Sequence, residues 1–117
     1  MSDAAIFLGW SRPIQNRETD ALELLERLAI WLKELRTSGQ ITSYVRTLLE
    51  PHGGGLAGFV LIEGDVPKLQ ALKQTEAWND GVSRLSLVLE GVMVNHAIVG
   101  AGVEREDARL KRLAKQR

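Results

Sequence analysis

The sequence contains no cysteine, and its positive and negative charges cancel. Without cysteine, disulfide bridges, thiolate nucleophiles and cysteine metal ligands are excluded. Lysine and arginine together number 15, as do aspartate and glutamate, so the chain lacks the basic surplus of nucleic-acid-binding proteins. No apolar run approaches the roughly 20 residues that a membrane-spanning helix needs. These absences predict a cytoplasmic protein with neither nucleic acid nor a membrane as its partner.

What the sequence does contain is an ordered series of apolar segments. Strand-like runs lie at residues 4–10, 41–49, 56–63 and 92–99, and helical stretches lie at 18–36 and 67–89. This β-α-β-β-α-β order is typical of ferredoxin-like α+β domains, in which helices cover one face of an antiparallel four-stranded sheet. A chain of 117 residues has room for a single core. We therefore predict one such domain at residues 1–103, followed by a charged segment at 104–117 that is expected to be helical.

The first helical stretch carries signals for where it begins, what it buries and where it ends. Asn16 is its predicted N-cap, and Gly39 fits the left-handed residue that ends a helix. The core stripe begins at Leu22 and continues at helical spacing. Leu24 and Trp31 make this stripe wider than one sheet face requires, and the sequence alone gives no reason for that width.

The charged C-terminal segment has Leu110 and Leu113 as its main large apolar residues. One interpretation is a solvated helix. The other is an arm that packs on a second subunit through these two leucines.

Polar residues within otherwise apolar strands are the candidates for chemistry. His96 and Asn95 are adjacent, so alternation places one on the helix-covered face of the sheet and the other on the open face. Tyr44 and Arg46 lie two residues apart and share a face. Arg46 could hold an anionic oxygen, and His96 could shuttle a proton near neutral pH. We predict His96, Arg46 and Tyr44 as catalytic residues; the alternatives are a structural histidine and a solvated edge strand.

A second group of residues is predicted to bind the ligand, and it consists of Trp10, Arg12, His52, Glu63 and Asn95. Trp10 and Arg12 come at the end of the first strand and would line the mouth of a pocket. His52 lies in the glycine-rich turn between the two middle strands. The set His52, His96 and Glu63 has no spacing motif of a metal site, so no metal is predicted.

Two stretches carry a family resemblance: Gly58-Phe59-Val60-Leu61-Ile62-Glu63-Gly64-Asp65, followed by Leu69 and Leu72, and a second N-cap at Thr75 that breaks the helical stretch ahead of Trp78. In these features and in its element order the chain resembles the dimeric α/β-barrel superfamily. That superfamily includes antibiotic-biosynthesis-type monooxygenases, muconolactone isomerases, and YCII-like and EthD-like proteins. The resemblance implies that two subunits pack their open sheet faces into a barrel. It also implies a ligand between each sheet and its helices.

From this resemblance we expect a homodimer that binds a small, largely apolar molecule, without metal or other cofactor. Its activity would be like that of a cofactor-independent monooxygenase or isomerase. The alternative is a non-catalytic dimeric interaction module. The broad stripe on the first helix and the two leucines of the C-terminal segment favour that alternative.

Overall fold

The computed structural model describes residues 3–51 and 53–116, which form four strands and four helices. The elements are β1 (Ala4–Trp10), α1 (Glu18–Thr37), β2 (Ser43–Leu48), β3 (Gly58–Gly64), α2 (Val66–Lys73), α3 (Glu76–Ser86), β4 (Met93–Ile98) and α4 (Ala101–Lys115). Within these two ranges, none of the helices combines the length and the apolar character that crossing a bilayer would require.

The four strands form one antiparallel sheet in the order β2-β3-β1-β4. Strands β1 and β3 therefore lie in the centre of the sheet, and β2 and β4 lie at its two edges. Together with the element order, this topology is the ferredoxin-like α+β fold that the sequence predicts.

The helices cover one face of the sheet. On that face β1 and β3 contribute side chains that are at most 1% exposed: Ile6, Leu8, Val60 and Ile62. The opposite face carries Phe7, Phe59 and Leu61, all only half-buried. The Phe7 ring stacks on that of Phe59 with centroids 5.2 Å apart, and it lies against Gly9, where a β-carbon would be 2.7 Å from it. The sheet thus has one closed face and one open, largely apolar face.

The start of α1 differs from the prediction. Its N-cap residue is Arg17, with no side-chain capping hydrogen bond, and the predicted cap Asn16 lies just before it in the left-handed region at φ 70°. Leu22, predicted in the core stripe, is 61% exposed, and the neighbouring Ala21 is fully buried instead. The prediction for the helix end is confirmed, because Gly39 has φ +81°.

The second helical stretch is broken into α2 and α3 at Thr75, as the sequence predicts. The Thr75 hydroxyl donates to the Leu72 carbonyl at 2.7 Å and accepts from the Trp78 amide at 3.2 Å. One side chain therefore satisfies groups at the end of one helix and the start of the next. The break sets the direction of α3 and the position of Trp78.

The C-terminal helix α4 is attached to the rest of the fold by its first turns. Gly102 is its one buried residue in the described part of the chain, and a β-carbon there would lie 2.8 Å from both the Asp3 carbonyl oxygen and Ile98. Arg105 forms an ion pair with Asp3. Further along, Leu110 and Leu113 are about half exposed, at 51% and 45%. The helix therefore presents its leucines to solvent in a single chain.

Candidate functional site

A cleft of about 270 Å³ lies between α1 and α3, over the helix-covered face of β1. Its lining is mostly apolar: Leu8, Leu24, Leu28, Trp31, Ala77, Trp78, Gly81, Val82 and Leu85, with Arg27, Asp80 and Arg84 as the charged members. A concave, largely apolar site with a few polar groups is the usual form of a small-molecule site. We therefore treat this cleft as the candidate functional site.

The α1 wall of the cleft explains the width of the apolar stripe on that helix. Leu24, Leu28 and Trp31 follow one another at spacings of four and three residues, so they share one face of α1. Leu28 is buried, whereas Leu24 and Trp31 are half-buried and border the cleft. The extra width of the stripe thus faces α3 rather than the sheet.

The α3 wall is built around Trp78, which is 3% exposed. Trp78 and Trp31 face each other across the two helices, with ring centroids 6.0 Å apart and planes inclined by 39°. Val82 and Leu85 follow at the next turns of α3. At this separation the two indoles pack against each other, and the half-buried Trp31 gives the cleft an aromatic surface.

Gly81 lies in this wall and contributes no side chain to the cleft. A β-carbon at residue 81 would meet no atom of a neighbouring element within 4 Å, so close packing does not require a glycine here. A glycine inside a helix costs about 1 kcal/mol relative to alanine. What the missing side chain provides is free volume in the cleft.

The charged groups of the cleft come from facing helices: Arg27 from α1, and Asp80 and Arg84 from α3. Arg27 and Arg84 also border an adjacent depression that includes Glu23. Each arginine follows a carboxylate by one helical turn, Glu23 in one case and Asp80 in the other. Even so, among the described residues neither arginine has a carboxylate oxygen within 4.0 Å.

The three residues predicted to be catalytic lie apart from this cleft. Tyr44 pairs with Ile62, Ile62 with Ile6, and Ile6 with His96, so Tyr44 and His96 stand at opposite edges of the sheet. Three strand spacings separate them, which is about 14 Å. All of these residues, and Arg46, share the helix-covered face, but one protomer does not bring the predicted trio together. Their catalytic role stays a prediction.

The surroundings of the edge residues are polar and solvated. The guanidinium of Arg36 lies 5.0 Å from the centroid of the Tyr44 ring, a cation–π contact that the sequence did not indicate. Arg46 and His96 are exposed. This part of β2 matches the solvated edge strand that was the alternative interpretation.

The residues predicted to bind the ligand are dispersed as well. Trp10 is 5% exposed and belongs to the core, so it does not stand at a pocket mouth as expected. Arg12 is exposed and forms an ion pair with Glu90 at 3.1 Å. His52 lies outside the described residues.

Glu63 and Asn95 lie on the open face of the sheet. Glu63 accepts a hydrogen bond from the Ser43 hydroxyl at 3.2 Å, and Asn95 pairs with Phe7 on the neighbouring strand. In the part of the chain that the structure describes, no three histidine or carboxylate side chains converge as metal ligands would. The ligand-binding roles of these two residues stay predictions.

The residues that line the cleft were visible in the sequence only indirectly. The breadth of the α1 stripe, through Leu24 and Trp31, was the available signal, together with the cap at Thr75 that positions Trp78. Nothing in the spacing of Arg27 or Arg84 indicated that both would border one cleft. That convergence depends on how α1 and α3 cross, which is set by tertiary packing.

Comparison with known proteins gives relatives in fold only. No protein-family model and no curated protein matches the chain. Among solved structures, a hypothetical protein from Arabidopsis thaliana is 13% identical, with a TM-score of 0.64 over 86% of this chain and 90% of that one. A dimeric ferredoxin-like protein of unknown function from Jannaschia sp. CCS1 is 14% identical, with a TM-score of 0.59 over 83% of this chain and 98% of its own.

A variant of SnoaB, a cofactor-independent oxygenase from Streptomyces nogalater, is 12% identical, with a TM-score of 0.52 over 85% of this chain and 93% of its own. At such identities the likeness establishes the architecture and nothing about chemistry. The chain therefore has the ferredoxin-like fold of the Jannaschia protein, and this confirms the expected fold.

Proposed function

We propose that this protein is a homodimer that binds a small, largely apolar molecule in the cleft between α1 and α3 of each subunit. The observation that carries the proposal is the cleft itself, with Trp31 facing Trp78 and with Gly81 leaving its wall open. Without a ligand, the half-buried side chains of Leu24 and Trp31 border water-accessible space at a cost of about 25 cal/mol per Å² of apolar surface. A flat apolar molecule would cover them.

The dimer in this proposal forms through the open face of the sheet. Val45 is 54% exposed there and Met93 40%, beside the half-buried Phe7, Phe59 and Leu61. Covering several hundred square ångströms of such surface contributes on the order of 10 kcal/mol before the cost of association. The dimeric structure of the Jannaschia protein, which shares the fold, is consistent with this arrangement.

An activity of the oxygenase or isomerase type is the finer part of the proposal. The fold of SnoaB lends it support as an analogy. Of the residues that line the cleft, Asp80 carries the one carboxylate, a type of group that serves as a general base in enzymes. Binding is therefore the part of the proposal that the geometry supports best.

Blocking the cleft tests the proposal. The change is Gly81→Leu, and the measurement is a fluorescence titration with the neutral probe N-phenyl-1-naphthylamine. We expect the original protein to bind one probe per chain saturably. We expect the variant to bind about tenfold more weakly or worse, because the new side chain occupies the free volume.

The matched control is Ser83→Leu, which adds the same side chain to an exposed position of α3 outside the cleft. It should bind the probe as the original protein does. If Gly81→Leu does not fold, Ala77→Leu tests the same wall one turn earlier. Absence of saturable binding to the original protein, or equal binding by the cleft and control variants, would refute the proposal.

The second candidate function is an interaction module, and the exposed leucines of α4 favour it. The first half of α4 is acidic, with Glu104, Glu106 and Asp107, and the second half is basic, with Arg109, Lys111, Arg112 and Lys115. Two antiparallel copies would match these charges and cover Leu110 and Leu113. Truncation after residue 103 should then lower the number of chains per particle. An unchanged number of chains counts against this role for α4.

A further inference from the structure

Resting on the proposed function, we infer that the ligand of the α1–α3 cleft is an anion: a flat, largely aromatic molecule with one acidic oxygen group held by Arg27 and Arg84. The two arginines come from opposite walls and both border the cleft. Trp31 and the apolar side chains beside it would receive the apolar body of this ligand, and the guanidinium groups its charged end.

What distinguishes Arg27 and Arg84 is their place at the cleft together with the absence, within the part of the chain that the structure describes, of an ion-pair partner. Among the described residues, Arg12, Arg17, Arg105 and Arg109 take part in ion pairs, and Arg36 lies over Tyr44. In that part of the chain Arg27 and Arg84 have neither kind of partner, and the same holds for Arg46 and Arg112, but Arg27 and Arg84 are the two arginines that line the cleft. Their donors are therefore available to a ligand.

Guanidinium chemistry determines the class of ligand. Its N–H donors form a planar fork that matches two oxygens of a carboxylate or sulfonate, and such charge-assisted hydrogen bonds are roughly twice as strong as neutral ones. Asp80 lies on the same rim and would repel a second negative charge. The arrangement thus favours a monoanion with an aromatic body over a polyanion such as a nucleotide.

A pair of probes that differ only in charge tests the inference. N-phenyl-1-naphthylamine is neutral, and 8-anilinonaphthalene-1-sulfonate is the same ring system with one sulfonate. We expect the original protein to bind the anionic probe about tenfold more tightly, as hydrogen bonds to a charged group would provide. In the double variant Arg27→Gln/Arg84→Gln, the two probes should bind with equal affinity, because the preference for the anion is lost.

The matched control is Arg112→Gln, which removes an exposed arginine on α4 and should keep the preference for the anion. Gly81→Leu should weaken the binding of both probes. Equal binding of the two probes to the original protein, or a preference that survives in the double variant, overturns the inference while leaving the proposed function standing. If neither probe binds, the proposed function fails as well.

Discussion

The two faces of the sheet differ in how their apolar side chains are covered. On one face, Ile6 and Ile62 lie beneath the helices and are at most 1% exposed. On the other face, their chain neighbours Phe7 and Leu61 are only half-buried, although they are as apolar. The first face is completed within one chain, and the second is not.

This difference separates two kinds of apolar residue that the sequence alone presents alike. Residues of the closed face determine whether the chain folds. Residues of the open face are only partly covered in one chain, and we propose that they bind a second copy. Within the closed face a further distinction exists, because α1 and α3 do not meet completely and leave the cleft between them.

The largest expected effect comes from a charge on the open face. In the Leu61→Asp variant, the proposed dimer would bury an unpaired carboxylate from each subunit. Burying such a charge costs about 3–5 kcal/mol, so the dissociation constant of the dimer should rise roughly 100-fold or more. Size-exclusion chromatography with light scattering measures this effect. The variant should remain folded as a single chain, and a dimer that persists at micromolar concentration would contradict the open face as the interface.

The adjacent residue should behave in the opposite way. Ile62→Ala removes a fully buried side chain from the closed face, which lowers the free energy of unfolding by about 2–5 kcal/mol. Chemical denaturation measures the loss, and the oligomer mass of the folded variant should not change. A loss below about 1 kcal/mol would show that the core does not depend on this face as described.

A smaller effect is expected where α2 ends and α3 begins. Thr75→Ala removes the hydroxyl that accepts from the Trp78 amide, which should lower the free energy of unfolding by about 1 kcal/mol. Thr75→Ser keeps the hydroxyl and is the control. Equal stability of the two variants in a urea titration would mean that the cap does not stabilise the junction.

The smallest effect is a gain in stability. Gly81→Ala adds a methyl group that meets no neighbouring element and improves helix propensity, so the free energy of unfolding should rise by about 0.5–1 kcal/mol. Thermal denaturation measures it. A destabilised variant would show that residue 81 is packed more closely than the structure indicates.

The sequence predicts the elements well because their signals are local. The first strand spans the predicted residues Ala4–Trp10, the helix break falls at Thr75, and Gly39 has the left-handed conformation. Asn16 fails as a cap because the chain turns there with a positive φ, one residue too early to reach the helix amides. Local patterns therefore give an element to within a few residues.

The site is harder to predict because it depends on pairings between distant segments. Alternation gives the face on which His96 and Tyr44 lie, but not that three strand spacings separate them. Likewise, the width of the α1 stripe at Trp31 indicates a second contact without identifying α3 as the partner. These distances depend on strand order and helix crossing, which short-range patterns do not contain.

The stoichiometry of binding tests the account most directly. Light scattering gives the mass of the original protein while 8-anilinonaphthalene-1-sulfonate is titrated into the same sample. We predict a particle of two 13.0-kDa chains that binds two probe molecules, one in each cleft. A single chain at micromolar concentration would contradict the open face as an interface, and one probe per dimer would place the site between the sheets instead.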